Sequence, residues 1–121
     1  MNGLHLTADL RGVHAALPAM TDPAVLGALC REAVAASGLQ GVAELMHRFG
    51  PADGQSGITG VVLLAESHLA VHTWPELGAV TLDVYVCNYG GDNSARARAL
   101  LDALIRVFAP AEVSRQQLLR G

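Results

Sequence analysis

Apolar and polar residues alternate strictly in two segments of the chain, which predicts two strands that each bury one face. The apolar set of the first segment is Leu4, Leu6, Ala8 and Leu10. The apolar set of the second is Val80, Leu82, Val84 and Val86. Its polar set is Thr81, Asp83, Tyr85 and Cys87. Because successive side chains of a strand point to opposite faces, these polar residues are predicted to share one outward face.

Two other segments carry apolar residues at helical spacing. The first follows Asp22 and Pro23, which are suited to a cap and a first turn, and Gly38 is predicted to end it. Its apolar positions are Val25, Leu26, Leu29, Ala33 and Val34. The second follows Ser94, a predicted capping residue, and Pro110 is predicted to end it. Its buried stripe is predicted to be Leu100, Leu101, Leu104, Ile105 and Phe108.

The remaining segments are extended or turn-like. Residues 42–49 predict a strand with one face made of Ala43, Leu45, His47 and Phe49. A glycine- and proline-rich loop is predicted over 50–60. A buried strand over 58–65 leads to Glu66 and Ser67, the chain continues extended over 68–74, and residues 75–78 predict a turn. A last strand is predicted over 112–119.

The predicted order is β-α-β-β-β-α-β. It indicates an α/β (α+β) fold, a two-layer sandwich in which one mainly antiparallel sheet carries two helices on one face. We find no linker and no internal repeat, so residues 1–121 are predicted to form a single domain. The other sheet face needs cover, and a second copy of the chain is the simplest candidate.

Composition narrows the class of protein. Half of the 121 residues are apolar and 16% are charged, which is typical of a compact globular protein. A net charge of −3 argues against a nucleic-acid binder, and no apolar run is long enough to span a membrane. The N-terminus lacks the features of a signal peptide, so a cytoplasmic protein with Cys30 and Cys87 as free thiols is expected.

The candidate chemistry lies around Ser67. A serine that follows a carboxylate residue can attack the preceding carbonyl if a base is near, and His72 is a candidate base. Loss of the serine α-proton would then expel the Glu66 carboxylate and leave dehydroalanine, which hydrolyses to a pyruvoyl group. Such a group can act as an electron sink in decarboxylation, and Cys87 is a candidate proton donor.

Alternatives use the same residues. His68 and His72 could be read as metal ligands, but the segment reads as a strand and lacks the glutamate of a zinc protease, so no metal is predicted. A hydrolase triad of Ser67, His72 and Asp83 lacks the glycines of a nucleophile elbow. The glycine-rich loop before Gly60 fits neither standard nucleotide motif. No chemical role is expected for three further residues. His5 is predicted to lie on the surface, His14 in a loop and Cys30 on the core side of a helix.

One stretch resembles the self-cleavage segment of the prokaryotic S-adenosylmethionine decarboxylase family, whose members are pyruvoyl-dependent. It runs Leu63-Leu64-Ala65-Glu66-Ser67-His68 and then, after three residues, His72-Thr73-Trp74-Pro75-Glu76. Gly57-Ile58-Thr59-Gly60-Val61 is similar to the family's lead-in, and His47-Arg48-Phe49 to a triplet before it. The resemblance covers the chain from Leu4 to Cys87 and, more loosely, the helix that follows.

The resemblance implies a role for each matching position. Ser67 would become the pyruvoyl group after cleavage between Glu66 and Ser67 into residues 1–66 and 67–121. His72 would be the processing base, Thr59 would support processing, and Cys87 would be the proton donor. Substrate-binding positions would be Phe49, Trp74 and Glu76. It also implies no pyridoxal phosphate, and a homodimer, or a higher assembly, with active sites at the interface.

The chain departs from the family pattern after the turn at Gly78. A tyrosine, a threonine and a glycine of the family are replaced by Ala79, Val86 and Asn88, and the loop before Thr59 carries extra residues around 52–56. These changes adjoin the binding site and bear on the substrate. S-adenosylmethionine, as precursor of the aminopropyl donor in spermidine synthesis, is the first expectation. A decarboxylase of L-arginine or L-ornithine and a non-catalytic dimerising homologue are the alternatives.

Overall fold

The computed structural model describes residues 2–51 and 56–121 of the chain. It contains the strands β1 (Gly3–Arg11), β2 (Gly41–Arg48), β3 (Ile58–Leu64), β4 (His68–Trp74), β5 (Ala79–Cys87) and β6 (Glu112–Arg120). The two α-helices are α1 (Pro23–Ser37) and α2 (Ser94–Phe108), and short 3-10 helices cover Pro18–Met20 and Pro75–Leu77. The strand predicted to begin at Ile58 does so, and residues 52–55 of the predicted loop lie outside the described residues.

The six strands form one sheet in the order β2-β3-β4-β5-β1-β6, and every neighbouring pair is antiparallel. Both helices pack on the same face, α1 against β2 and β3 and α2 against β1 and β5. The predicted α/β sandwich with two helices on one face is confirmed. We call the sheet face without helices the open face.

The two alternating segments form β1 and β5, and their apolar sets all face the helices. Those eight residues are at most 3% exposed, and they meet the predicted α2 stripe in one core. Asp22 caps α1 by accepting from the backbone N–H groups of Ala24 and Val25, and Gly38 ends it at φ +85°. Burial of apolar surface on one face of each element thus produces the two layers.

Two predicted details are wrong. The described residues between the helices form four strands, because Leu64 and Ser67 exchange backbone hydrogen bonds of 3.0 and 3.5 Å that fold β3 and β4 into a hairpin. Ser94 does not cap α2 with its side chain. It is the first helical residue, and its N–H donates to Asp92 Oδ1 at 2.9 Å.

The open face is apolar at one edge and polar toward the other. On β2 and β3 it carries Ala43, Leu45, Val61 and Leu63. On β5 and β1 it carries Thr81, Asp83, Tyr85, His5, Thr7 and Asp9. Leu45 is 68% exposed and Leu63 is 48% exposed, although both are large apolar residues.

Candidate active site

The bond between Glu66 and Ser67 lies at the tip of the β3–β4 hairpin. Ala65 and Glu66 are the two turn residues, and both are exposed. Neither has a positive φ, so the turn is neither of the mirror-image types that two-residue hairpins favour. The scissile bond predicted from the sequence is therefore held at its two ends by a paired hairpin while its turn stays accessible.

Cys87 lies directly beside Ser67. Its backbone N–H donates to the Ser67 Oγ at 3.2 Å, which joins the end of β5 to the start of β4. Both residues are half-buried, and both line a cavity of about 450 Å³ together with Glu66. The structure thus brings three of the predicted site residues together, and we call Glu66, Ser67 and Cys87 the nucleophile end of the sheet.

The two cysteines differ in environment. Cys30 is fully buried in α1, and burial, with a smaller contribution from the nearby Glu44 carboxylate, raises the pKa of its thiol to about 12. A thiol with such a pKa stays protonated and unreactive. Cys87 is partly exposed, and both thiols are free. Cys87 is therefore the cysteine that can take part in chemistry.

A second cluster lies at the other end of the same strands. His72 Nδ1 is 3.2 Å from Thr59 Oγ1, and its ring stacks on Trp74 at 5.8 Å between centroids. The ring centroids of Phe49 and Trp74 are 6.2 Å apart. We call these four residues, Phe49, Thr59, His72 and Trp74, the aromatic end. Glu76 follows on the short 3-10 helix Pro75–Leu77 and is exposed.

Close packing shapes the aromatic end. A Cβ on Gly57 would lie 1.9 Å from the Thr73 carbonyl oxygen and 2.5 Å from the Phe49 ring, so only glycine lets Phe49 approach Trp74 there. Thr73 is fully buried on the opposite face of β4, where its hydroxyl accepts from Ile58 N–H at 2.9 Å and donates to the Met20 carbonyl at 2.8 Å. These contacts fix the strand that carries His72 and Trp74.

The nucleophile end and the aromatic end do not meet within one chain. His72 is five residues beyond Ser67 on an extended strand, which at the usual rise per residue separates their Cα atoms by about 16 Å. The register agrees, because His72 faces Thr81 on β5, six residues before Cys87. His72 therefore cannot accept a proton from the Ser67 of its own chain.

The residues of the other interpretations are also apart. His68 and His72 share the open face but lie opposite Tyr85 and Thr81, four residues apart along the strand. Asp83 Oδ1 lies 3.3 Å from His5 Nε2, without hydrogen-bond geometry, and faces Ala70 rather than His72 on β4. A Ser67–His72–Asp83 triad is not assembled, and His5, predicted as a surface residue, is half-buried beside Asp83.

Sequence reasoning missed two polar residues at the nucleophile end. Asn93 and Arg96 line the same cavity as Ser67, and Asn93 Nδ2 donates to the Cys87 carbonyl at 2.9 Å. Both follow β5 by only a few residues, at the start of α2. The one available signal was that a helix packed beside the end of β5 must place its first turn near Cys87.

Comparison with known proteins gives a consistent result. The sequence profile described as S-adenosylmethionine decarboxylase matches residues 4–121. The chain belongs to the S-adenosylmethionine decarboxylase family. It is 39% identical to the S-adenosylmethionine decarboxylase proenzyme of Picrophilus torridus and 36% identical to that of Archaeoglobus fulgidus, in each case over 98% of this chain. The alignments cover 84% and 97% of those relatives, respectively.

A solved structure agrees with the family and the fold. The crystal structure of the adenosylmethionine decarboxylase from Aquifex aeolicus superposes with a TM-score of 0.84 at 37% identity, covering 98% of this chain and 90% of that one. The predicted family is confirmed. In the part of the chain that the structure describes, no helix has the length and apolar character needed to cross a bilayer.

Proposed function

We propose that this chain is a pyruvoyl-dependent decarboxylase of S-adenosylmethionine that forms its own cofactor by cleavage between Glu66 and Ser67. The observation that carries the proposal is the position of Ser67 at an accessible hairpin tip, with its Oγ held by the Cys87 N–H. The family supports it, because the relatives are named S-adenosylmethionine decarboxylase proenzymes, and a proenzyme requires processing.

In the first step of maturation, Ser67 Oγ attacks the carbonyl carbon of Glu66. The C–N bond breaks, the proton of the hydroxyl passes to the Ser67 nitrogen, and an ester replaces the amide. A base then removes the Ser67 α-proton, the Cβ–Oγ bond breaks, and Oγ leaves with the Glu66 carboxylate. The dehydroalanine that remains takes up water and releases ammonia, which leaves residues 67–121 blocked by a pyruvoyl group.

The residue content favours this cofactor over pyridoxal phosphate. The sequence has eight arginines and no lysine, so it has no side chain that could bind pyridoxal phosphate covalently as a Schiff base. A pyruvoyl group at position 67 would condense with the substrate amine and accept the electron pair released with carbon dioxide. Cys87 is the proton donor in this proposal, since it is the partly exposed thiol beside Ser67.

We propose that the processing base comes from a second copy of the chain. His72 and Thr59 are hydrogen-bonded to one another but lie about 16 Å along the strand from Ser67. In a two-fold dimer packed through the open faces, the nucleophile end of each chain can meet the partner's aromatic end. The exposed apolar residues Leu45 and Leu63 on that face support such packing, because a monomer gains nothing from exposing them.

Phe49 and Trp74 are the proposed substrate contacts. Two aromatic rings 6.2 Å apart on one surface can stack on a purine base, as S-adenosylmethionine would require. Arginine and ornithine carry no aromatic ring, and the relatives are named for S-adenosylmethionine, so these alternative substrates are not favoured. Glu76, which follows Trp74 on the short 3-10 helix and is exposed, is a further proposed binding residue.

The decisive experiment is the intact mass of purified protein under denaturing conditions, with carbon dioxide release measured on the same samples. The wild-type chain should yield residues 1–66 and a pyruvoyl-blocked 67–121, whereas Ser67→Ala should stay whole and inactive. Ser114→Ala, which alters an exposed serine on β6, is the matched control and should be cleaved normally. An uncleaved wild-type protein would support the non-catalytic homologue. Release of carbon dioxide from arginine or ornithine but not from S-adenosylmethionine would show that S-adenosylmethionine is not the substrate.

A further inference from the structure

The cavity beside Ser67 contains a cation that the proposed chemistry has not used. Among the described residues that line it, Arg96 is the only basic one and Glu66 the only acidic one. Its volume of about 450 Å³ lies in the range of small-molecule pockets. Four segments line it, namely the chain after α1, the hairpin tip, the end of β5 and the start of α2.

A chain of hydrogen bonds ties Arg96 to Ser67. Arg96 Nη1 donates to Asn93 Oδ1 at 3.0 Å, and Asn93 Nδ2 donates to the Cys87 carbonyl at 2.9 Å. The Cys87 N–H donates in turn to Ser67 Oγ. Asn93 is itself fixed, since its N–H donates to Asn88 Oδ1 at 2.7 Å. Arg96 is thus held at a defined place relative to the scissile bond.

Arg96 forms no ion pair with any described residue. Within residues 2–51 and 56–121, no carboxylate lies within 4.0 Å of its guanidinium, whereas Arg31 and Arg115 are paired with Glu44 and Asp102. Asp92 is close enough for Arg96 to help lower its pKa, but hydrogen bonds from Ser94 are the larger cause and occupy that carboxylate. The guanidinium therefore keeps donors for a further anion.

We propose that Arg96 binds the carboxylate that Glu66 gains on cleavage, an inference that rests on the proposed self-processing. When the Cβ–Oγ bond breaks, the electron pair leaves with Oγ, and the new α-carboxylate of Glu66 carries the negative charge. That charge develops in the transition state of the elimination step, so a guanidinium held nearby lowers the barrier. After cleavage the same contact anchors the end of the 1–66 chain away from the position-67 carbonyl.

The substrate carboxylate is a poorer partner for Arg96. In decarboxylation that group loses its negative charge as carbon dioxide leaves. A guanidinium bound to it would stabilise the ground state more than the transition state and would slow the reaction. The Glu66 carboxylate has the opposite behaviour, because its charge appears in the step that Arg96 would assist.

The test follows maturation of the full chain in a cell-free synthesis time course. Wild-type, Arg96→Ala, Arg96→Lys and Arg98→Ala are compared, with hydroxylamine added to parallel samples. Arg98 is the matched control, since it lies on the same helix but donates to Gln117 on β6 at 3.1 Å. Hydroxylamine cleaves the ester intermediate and leaves residues 67–121 with a free serine amine, which differs in mass from the pyruvoyl-blocked chain.

Arg96→Ala should slow cleavage by about ten- to a hundredfold, the value of one charge-assisted hydrogen bond. The uncleaved chain should accumulate as the hydroxylamine-sensitive ester, because the elimination is slowed and the acyl shift is not. Arg96→Lys should restore part of the rate, and Arg98→Ala should behave as wild type. Thermal midpoints of Arg96→Ala and Arg98→Ala should agree, which excludes a general loss of structure.

Three results would overturn the assignment. Cleavage of Arg96→Ala at the wild-type rate would show that Arg96 does not bind the leaving carboxylate. If Arg96→Ala cleaves slowly and its uncleaved chain resists hydroxylamine, Arg96 acts before the ester forms. An equal loss of cleavage rate in Arg98→Ala would show that the effect of Arg96→Ala comes only from the change in net charge. In all three cases the wild-type chain still cleaves, so self-processing survives, whereas an uncleaved wild-type chain would remove both proposals.

Discussion

The two ends of the sheet carry different kinds of residues and are built in different ways. At the nucleophile end, backbone hydrogen bonds position Ser67, through the hairpin pair with Leu64 and the N–H of Cys87. At the aromatic end, side chains on neighbouring strands contact one another, as His72 does with Thr59 and Trp74. Each end lacks what the other has, since one holds the proposed nucleophile without a base and the other the proposed base without a nucleophile.

If Ser67 and His72 act together as proposed, a single chain cannot complete the site. Strand pairing fixes both ends rigidly, so no side-chain rotation can close a gap of about 16 Å between Ser67 and His72. In the proposed dimer, a second chain related by a two-fold axis supplies the missing end twice, once for each site. We therefore expect the strongest tests to be those that separate the two ends onto different chains.

The largest effect is expected from mixing two inactive variants. His72→Ala and Ser67→Ala, carrying different tags, should each stay uncleaved when expressed alone. On co-expression, a mixed dimer pairs an intact nucleophile end with an intact aromatic end, so up to about half of the His72→Ala chains should be cleaved. Intact mass of each tagged chain is the measurement. If every His72→Ala chain stays whole in the mixture, the base does not come from the partner.

The next effect is expected on the open face. Leu45→Glu should weaken the dimer about 10²- to 10⁴-fold, because the lost apolar burial counts twice across a two-fold interface. The matched control is Val42→Glu on the same strand. Val42 is 63% exposed, close to the 68% of Leu45, but it lines the groove between α1 and β2. Sedimentation measures the dimer, and equal weakening by both variants would argue against packing through the open face.

A smaller effect is expected at the nucleophile end from Cys87→Ala. The contact with Ser67 Oγ uses the backbone N–H, which any residue retains, so cleavage should proceed. Loss of the proton donor should lower kcat about 100-fold or more. Intact mass and carbon dioxide release from one preparation separate the two effects. Full turnover by the cleaved variant would remove Cys87 as the donor.

The smallest effect is expected at the aromatic end from Trp74→Ala. Loss of one stacking partner should raise KM for S-adenosylmethionine about tenfold or somewhat more, while cleavage proceeds. Leu77→Ala, which shortens an exposed residue on the following 3-10 helix, should leave KM unchanged. Steady-state kinetics provide the comparison. An unchanged KM in Trp74→Ala would show that the purine base of the substrate does not stack on Trp74.

Much of this organisation could be predicted from residues close together in sequence. The alternation in β1 and β5, the Asp22 cap and the Gly38 stop are local features, and each had the predicted structural effect. The distance of His72 from Ser67 also follows from a local feature. A strand over 68–74 already separates Ser67 from His72 in space, although five residues look like a short distance along the sequence.

The two layers, the polar face of β5 and the residues proposed for cleavage could be derived from the sequence alone, because these depend on side-chain type and on a period of two or 3.6 residues. The tertiary structure was needed for the strand order, which places β1 between β5 and β6. It alone brought Asn93 and Arg96 to Cys87 and Ser67. The physical reason is that strand pairing and helix docking join residues distant in sequence, and no local period records which partners meet.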